Sequence, residues 1–247
     1  MRGFTLLELL AALGVIVVLA ALLVPGIQLV RNQARTAQCA DNLRQIGVAV
    51  IAYGQERGGR SPAHLRALAD DPQWDLPARG LLCPFDRSAG SDERLGRRGL
   101  PHDDEWPYTR LHEPGSSYMY EFSSNTGRNW YNRLQMLTED DIAYFYRDRP
   151  ANAWPALGSV SWADAKRHQQ QHGNLRPEVA APRGRPEDFG APFPLDRVPI
   201  VRCFHHAEWA RLGDLERQRR VHNLSMAGQV FWSTPYWERD VNPLIPK

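Results

Sequence analysis

Lysine is nearly missing from this 247-residue chain: Lys166 and Lys247 are the only two, so the 30 basic residues are almost all arginine. Such a bias is what GC-rich coding produces and does not by itself mark a recognition surface. Net charge is scarce too, 28 acids against 30 bases, which leaves no global field to draw in nucleic acid. Three cysteines allow at most one internal disulfide and leave one thiol over. A Ser-His-Asp spacing, a phosphate loop and a dinucleotide fingerprint are all lacking, so the sequence lends no support to those enzyme classes. There is no internal repeat. A mean hydropathy below zero excludes a polytopic membrane protein, and 43% hydrophobic residues with 23% charged exclude a fully disordered one.

What is present is distributed unevenly. No charge occurs between Glu8 and Arg31, and Leu9–Val24 is uninterrupted apolar sequence. As a helix, Phe4 to Val30 would extend roughly 40 Å at about 1.5 Å per residue, and a bilayer core of about 30 Å needs roughly 20 such residues. A single membrane-spanning helix fits. A cleaved secretory signal fits less well: its basic part would be Arg2 alone, its apolar run exceeds the usual 7–15 or so residues, and Leu23-Val24-Pro25-Gly26 is a poor cleavage site. Glu8 stands near the start of the run. A charge at the bilayer centre costs roughly 2.5–3.5 kcal/mol on insertion scales, so this carboxylate either sits hydrated at the interface or has a purpose within the membrane.

The string Gly3-Phe4-Thr5-Leu6-Leu7-Glu8-Leu9 resembles the processing signal of type IV pilins and type II secretion pseudopilins. The resemblance implies cleavage by a prepilin peptidase between Gly3 and Phe4, N-methylation of Phe4, and an assembly role for Glu8 at the fifth mature position. Pro25 falls where these proteins commonly carry a helix-loosening proline. The implied logic is electrostatic: the new amine at Phe4 of one subunit is neutralised by Glu8 of a neighbour inside a shared apolar bundle, which sets subunit register. Arg31 and Arg35 follow the apolar run, so charge placement alone does not put the N-terminus in the cytoplasm; the inner-membrane, single-pass arrangement with a periplasmic head follows from the resemblance.

Beyond Pro25-Gly26 the pattern remains helical. Cys39, Leu43, Ile46, Val50 and Tyr53 recur at spacings of four and three, an apolar stripe expected to pack on the protein's own sheet. Gly58-Gly59 is expected to end the helix. The segment Cys39–Gly47, Tyr53, Ser61-Pro62, Leu82–Asp86 and Ser116–Tyr120 are similar to pseudopilin-G-like proteins with prepilin-type N-termini. The expected organisation is a leader (1–3), a transmembrane helix (4–30), an amphipathic continuation (31–58) and a globular head (59–247). The fold class is α+β, pilin-like, with a small antiparallel sheet on the stalk and long irregular insertions.

In the head, Ser61 with Pro62 reads as the cap of a short helix reaching about Asp70, and helices are read over 138–147 and 159–172, each opened by a Thr or Ser cap. Strands are expected over 117–123, 199–204, 220–225 and 229–232, the last two forming a hairpin around Met226-Ala227-Gly228. Residues 87–115 and 173–198 read as irregular excursions.

Four sets of residues invite a chemical reading. His205-His206-Ala207-Glu208 with His222 is the most metal-like, but adjacent residues on a strand face opposite ways, so they read as polar residues at a strand end, with zinc-assisted hydrolysis as a minor alternative. The loop acids Asp86, Asp92, Glu93, Asp103, Asp104 and Glu105 carry carboxylates of the kind calcium uses, at spacings that are not those of an EF-hand; a structural calcium is a family feature for which no ligand set is assigned, and no other cofactor is expected. Arg94, Arg97, Arg98, Arg217, Arg219 and Arg220 are interleaved with acids and read as solvated surface. The scattered Trp130, Tyr131, Trp154, Trp162, Trp209, Trp232 and Trp237 read as core anchors. If the head lies in an oxidising compartment, one disulfide is expected, Cys83–Cys203 or Cys39–Cys83, with unpaired core thiols as the alternative.

The function implied is that of a non-enzymatic pseudopilin subunit assembling into a periplasmic pseudopilus for type II secretion. Its partners would be other pilin-like subunits, prepilin peptidase, the inner-membrane assembly platform and membrane lipid, with no nucleic acid. The alternatives are a minor type IV pilin in adhesion, motility or DNA uptake, and a membrane-anchored metal-dependent hydrolase.

Overall fold

A computed structural model describes residues 6–90, 115–122, 139–146, 148–172, 192–206, 221–234 and 237. Helix α1 runs from Leu6 to Glu56 without a break, with Pro25 inside it. Its termination follows from two glycines in the left-handed region, Gly58 at φ 64° and Gly59 at φ 83°; the Gly59 N–H closes the end by donating to the Gly54 carbonyl at 2.7 Å.

The two halves of α1 have opposite environments. The large apolar residues up to Val30 whose side chains are described are exposed, from 48% at Ile27 to 77% at Leu6. In the outer half Cys39, Leu43, Ile46, Ala49 and Val50 are buried, and Tyr53 packs against the same core. The four-and-three stripe therefore packs at home, as its period requires. Each fully buried leucine or isoleucine in it contributes roughly 1.5–3 kcal/mol.

The sheet that receives this stripe is antiparallel, in the order β1 (Met119–Tyr120), β2 (Pro199–Cys203), β3 (Val221–Ser225), β4 (Val230–Ser233). Met119 pairs with Arg202, Cys203 with His222, and His222 with Trp232, with an irregularity in β2 between Pro199 and Val201. Alternation puts Val201, Cys203, His222 and Leu224 on one face and Arg202 and Asn223 on the other. The first face meets α1 so closely that a Cβ at Gly47 would come 2.9 Å from Leu224 Cδ2. The expected β3–β4 hairpin is formed, and Gly228 at φ 77° supplies its left-handed residue.

Two of the three short helices differ from expectation at their starts, and Thr138, the cap expected for the helix over 138–147, lies outside the described residues. Helix α2 spans Arg66–Asp70 and Ser61 does not cap it: the Ser61 hydroxyl accepts from Arg167 at 2.7 Å, while His64 Nδ1 accepts the Ala67 N–H at 3.0 Å. Helix α3 covers Glu139–Phe145. Helix α4 covers Trp162–His172, opened by Ser161 rather than Ser159. Ser161 Oγ accepts the Asp164 N–H at 3.1 Å and the Asp164 carboxylate accepts the Ser161 N–H at 2.9 Å, a reciprocal cap. The strand expected over 117–123 shortens to Met119–Tyr120. After the second excursion the chain is clamped onto α4, the Phe193 N–H donating to the Gln170 carbonyl at 2.7 Å.

Candidate functional site

Glu8 lies in the first turn of α1, where the helix dipole favours a carboxylate, and its side chain is exposed. The helix from Glu8 onward is long and apolar enough to cross a membrane, and none of its most apolar window is buried against the head. Gly3 and Phe4 lie outside the described residues, as do the expected basic clusters, Glu208 and the loop acids other than Asp86.

Where α1 meets the sheet, four side chains converge that the sequence scatters over 168 positions. Cys39 comes from α1, Cys83 from the turn after a 3₁₀ segment (Ala78–Leu81), Cys203 from the end of β2, and His206 from the turn beyond it. Their donor atoms, three Sγ and one imidazole nitrogen, all lie within 4.8 Å of one another. All three cysteines are free and buried. Neither Cys83–Cys203 nor Cys39–Cys83 is formed as a disulfide; the three sulfurs and His206 share one spot, and joining any two would leave the third thiol stranded there.

The groups around the cluster are arranged to hold it. Asn42 on α1 donates through Nδ2 to the Leu82 carbonyl at 2.9 Å, fixing the Cys83 turn, and to Tyr118 Oη at 3.2 Å. Tyr118 Oη in turn donates to Cys39 Sγ at 3.8 Å. His206 Nε2 is 3.8 Å from Cys83 Sγ. Its ring is set by Phe85, Trp232 and His222, with centroids at 4.6, 5.3 and 5.5 Å. Hydrogen bonds from Cys203 and Cys39, with further ones from His206 and the Phe85 N–H, hold the Cys83 thiol far below its ordinary range against the opposing effect of burial. Cys203 is pushed up by burial and by the neighbouring sulfurs.

His205 and His206 diverge, as adjacent residues should. His205 turns to Asp86, Nε2 to Oδ2 3.7 Å, where burial lowers its pKa and Asp86 opposes the shift. His222 stacks flat on Trp232 at 4.1 Å, and burial with the neighbouring His206 pushes it down to about 4, so it is neutral at neutral pH. Asp86 accepts from the Ser88 and Ser117 hydroxyls, both at 2.6 Å, and from the Gly90 N–H at 2.9 Å. Burial alone would raise its carboxyl; the two serines hold it below the ordinary range. Its oxygens are thereby engaged in tying the loop together.

On the opposite face of the sheet lies a buried charge network. Arg202 Nη1 and Glu121 Oε1 are 3.4 Å apart, and Lys166 Nζ lies 3.4 Å from Glu121 Oε2 as an ion pair without hydrogen-bond alignment. Arg202 Nε also donates to Asn223 Oδ1 at 3.0 Å. Lys166 Nζ faces the rings of Phe145, Trp162 and Trp237 at 5.4–5.8 Å, a cation surrounded by aromatic faces. Of the expected aromatic anchors, Trp237 is buried, Trp154 and Trp162 pack against a small second core with Phe145 and Ile142, and Trp232 remains 40% exposed.

A second group, Asp148 from the turn after α3 with His168 and His172 of α4, sits nearer the surface. His168 Nε2 meets Asp148 Oδ1 at 2.7 Å, and the two imidazoles stack at 4.2 Å. It offers three donors against four.

Sequence reasoning grouped His206 with His205 and His222 and treated the cysteines separately. The available signal was Cys203-Phe204-His205-His206, a cysteine and a histidine at a spacing common among metal ligands. Comparison with protein-family models, with curated proteins and with solved structures finds no match for this chain.

Proposed function

We propose that this chain is a pilin-like subunit that works by assembly: a membrane stalk inserted into a bundle of like stalks, with heads stacking outside the inner membrane as a pseudopilus for protein secretion. The observation that carries this reading is the division of α1, one continuous helix whose first half exposes its apolar residues while its second half supplies the core of the head. A core helix of a soluble protein buries such residues, and the apolar half here belongs to the same continuous helix as the head's core. The resemblance of residues 3–9 to the prepilin signal supplies the rest: processing at Gly3/Phe4 by prepilin peptidase, and Glu8 as counter-ion to a neighbour's Phe4 amine. A carboxylate at that depth favours subunits that pair it over those that do not. Assembly by such heterologous contacts does not close and yields a filament.

Glu8→Ala is expected to leave the chain stable and membrane-inserted while abolishing its cross-linking into filaments and the export that depends on them. Normal cross-linking and export by this variant would refute the reading.

A further inference from the structure

We infer that Cys39, Cys83, Cys203 and His206 bind one zinc ion, which fastens the stalk helix to the head. This inference stands apart from the filament reading and holds for any anchored protein with this head.

The geometry is that of a mononuclear tetrahedral site. Zinc–sulfur bonds of about 2.3 Å and zinc–nitrogen bonds of about 2.0–2.1 Å place tetrahedral ligand atoms roughly 3.5–3.8 Å apart. Here the Cys83 Sγ–His206 Nε2 separation is 3.8 Å and no pair exceeds 4.8 Å. A small contraction onto an ion completes the site. The donor set, three soft thiolates and one imidazole, selects zinc over the harder divalent ions. The position is also dry: Cys39, Cys83 and Cys203 are at most 2% exposed. An outer group meets a need of the bound thiolates, Tyr118 Oη donating to Cys39 Sγ at 3.8 Å. His206 is held between Phe85, Trp232 and His222, which fixes the ring that must present its Nε2.

The mechanical consequence follows from the connectivity. The ligands come from α1, the Cys83 turn and the end of β2, segments otherwise joined through side-chain packing and the Asn42 contacts. A zinc ion would cross-link all three at the point where the exposed half of α1 becomes the buried half. It would also shield three thiols from oxidation, since coordinated sulfurs are not free to pair.

The test uses the untagged full-length chain extracted in mild detergent under reducing, chelator-free conditions. Elemental analysis is expected to give about one zinc per chain, and exchange into cobalt to give thiolate-to-cobalt charge-transfer absorption with tetrahedral ligand-field bands. Cys203→Ser and His206→Ala are expected to lose most of the metal, while His205→Ala and His172→Ala keep it. Stripping the wild-type chain with chelator is expected to lower its melting temperature by about 10 °C or more, and returning zinc to restore it. Independently of whether the ligand variants fold, the wild-type cobalt spectrum and alkylation of the three thiols with and without chelator stand as readouts. A metal-free, fully folded wild type, an intact mass lighter by two hydrogens from a disulfide, or zinc retained by Cys203→Ser would each overturn the inference.

Discussion

Replacing Glu121 with alanine is expected to destabilise the head by about 3–5 kcal/mol, a fall in melting temperature of about 10 °C for a chain of this size. Glu121 is 1% exposed and lies between Arg202, which is fully buried, and Lys166. Without the carboxylate, two cations remain in a dry environment with no counter-ion, and that loss outweighs the pairwise attraction removed. The Lys166 ammonium keeps its aromatic neighbours and Arg202 its bond to Asn223, so the penalty is a partial one and the range is bounded. Glu121→Gln retains an acceptor for Arg202 and is expected to cost less. Combining it with Lys166→Met, which matches the stem in shape and suits the surrounding rings, is expected to recover the part of the loss that comes from the unpaired Lys166 ammonium, while Arg202 still lacks a counter-ion. Thermal melts in detergent of the wild type, Glu121→Gln, Lys166→Met and the combined variant form a double-mutant cycle. Additive losses would show that Glu121 and Lys166 do not form one network.

Gly90→Ala is the second substitution expected to act strongly, at about 3 kcal/mol or more. Two penalties combine. Gly90 has φ 75°, a conformation that costs an L-residue roughly 1–2 kcal/mol. An added Cβ would also stand 2.9 Å from the Gly115 carbonyl carbon and the Ser116 nitrogen, which are backbone atoms with little freedom to move aside. The Gly115 N–H donates to the Gly90 carbonyl at 2.9 Å, so the two strands of chain are drawn together where the first excursion leaves and returns. Asp86 holds the same junction through the Gly90 N–H and Ser117. Gly158→Ala isolates the first penalty: its φ is 86° and nothing lies within 4 Å of the new Cβ, so about 1–2 kcal/mol is expected. Equal losses at the two positions, measured by denaturant unfolding, would show that the close approach contributes nothing.

Parts of this architecture are written locally, and those parts are legible in the sequence. The Cys39–Tyr53 stripe is a periodic signal spread over four turns of one helix, and Gly58-Gly59 is its stop. The β3–β4 hairpin is legible for the same reason, since its turn and alternation lie within thirteen residues, Val221–Ser233. The caps of α2 and α4 are less legible because a capping side chain competes for partners: Ser61 is taken by Arg167, and His64 serves in its place. The Glu121–Arg202–Lys166 network and the Cys/His centre are long-range products. Arg202 sits on the face of β2 opposite Cys203 and Val201, so one strand carries both a buried charge and a ligand thiol. Nothing in a single strand's composition distinguishes these from surface residues until β1 and α4 are placed beside it. The scarcity of lysine offers a partial hint in retrospect: of two lysines, one is buried among aromatic rings.

The central claim is that the exposed apolar half of α1 is a processed membrane stalk. Intact-mass and N-terminal peptide analysis of the protein extracted from the membranes of its own cells tests this most directly. The account predicts a mature chain beginning at Phe4 and carrying one added methyl group. A chain still beginning at Met1, or one cut near Pro25, would contradict it and return the head to the ordinary anchored or secreted domains.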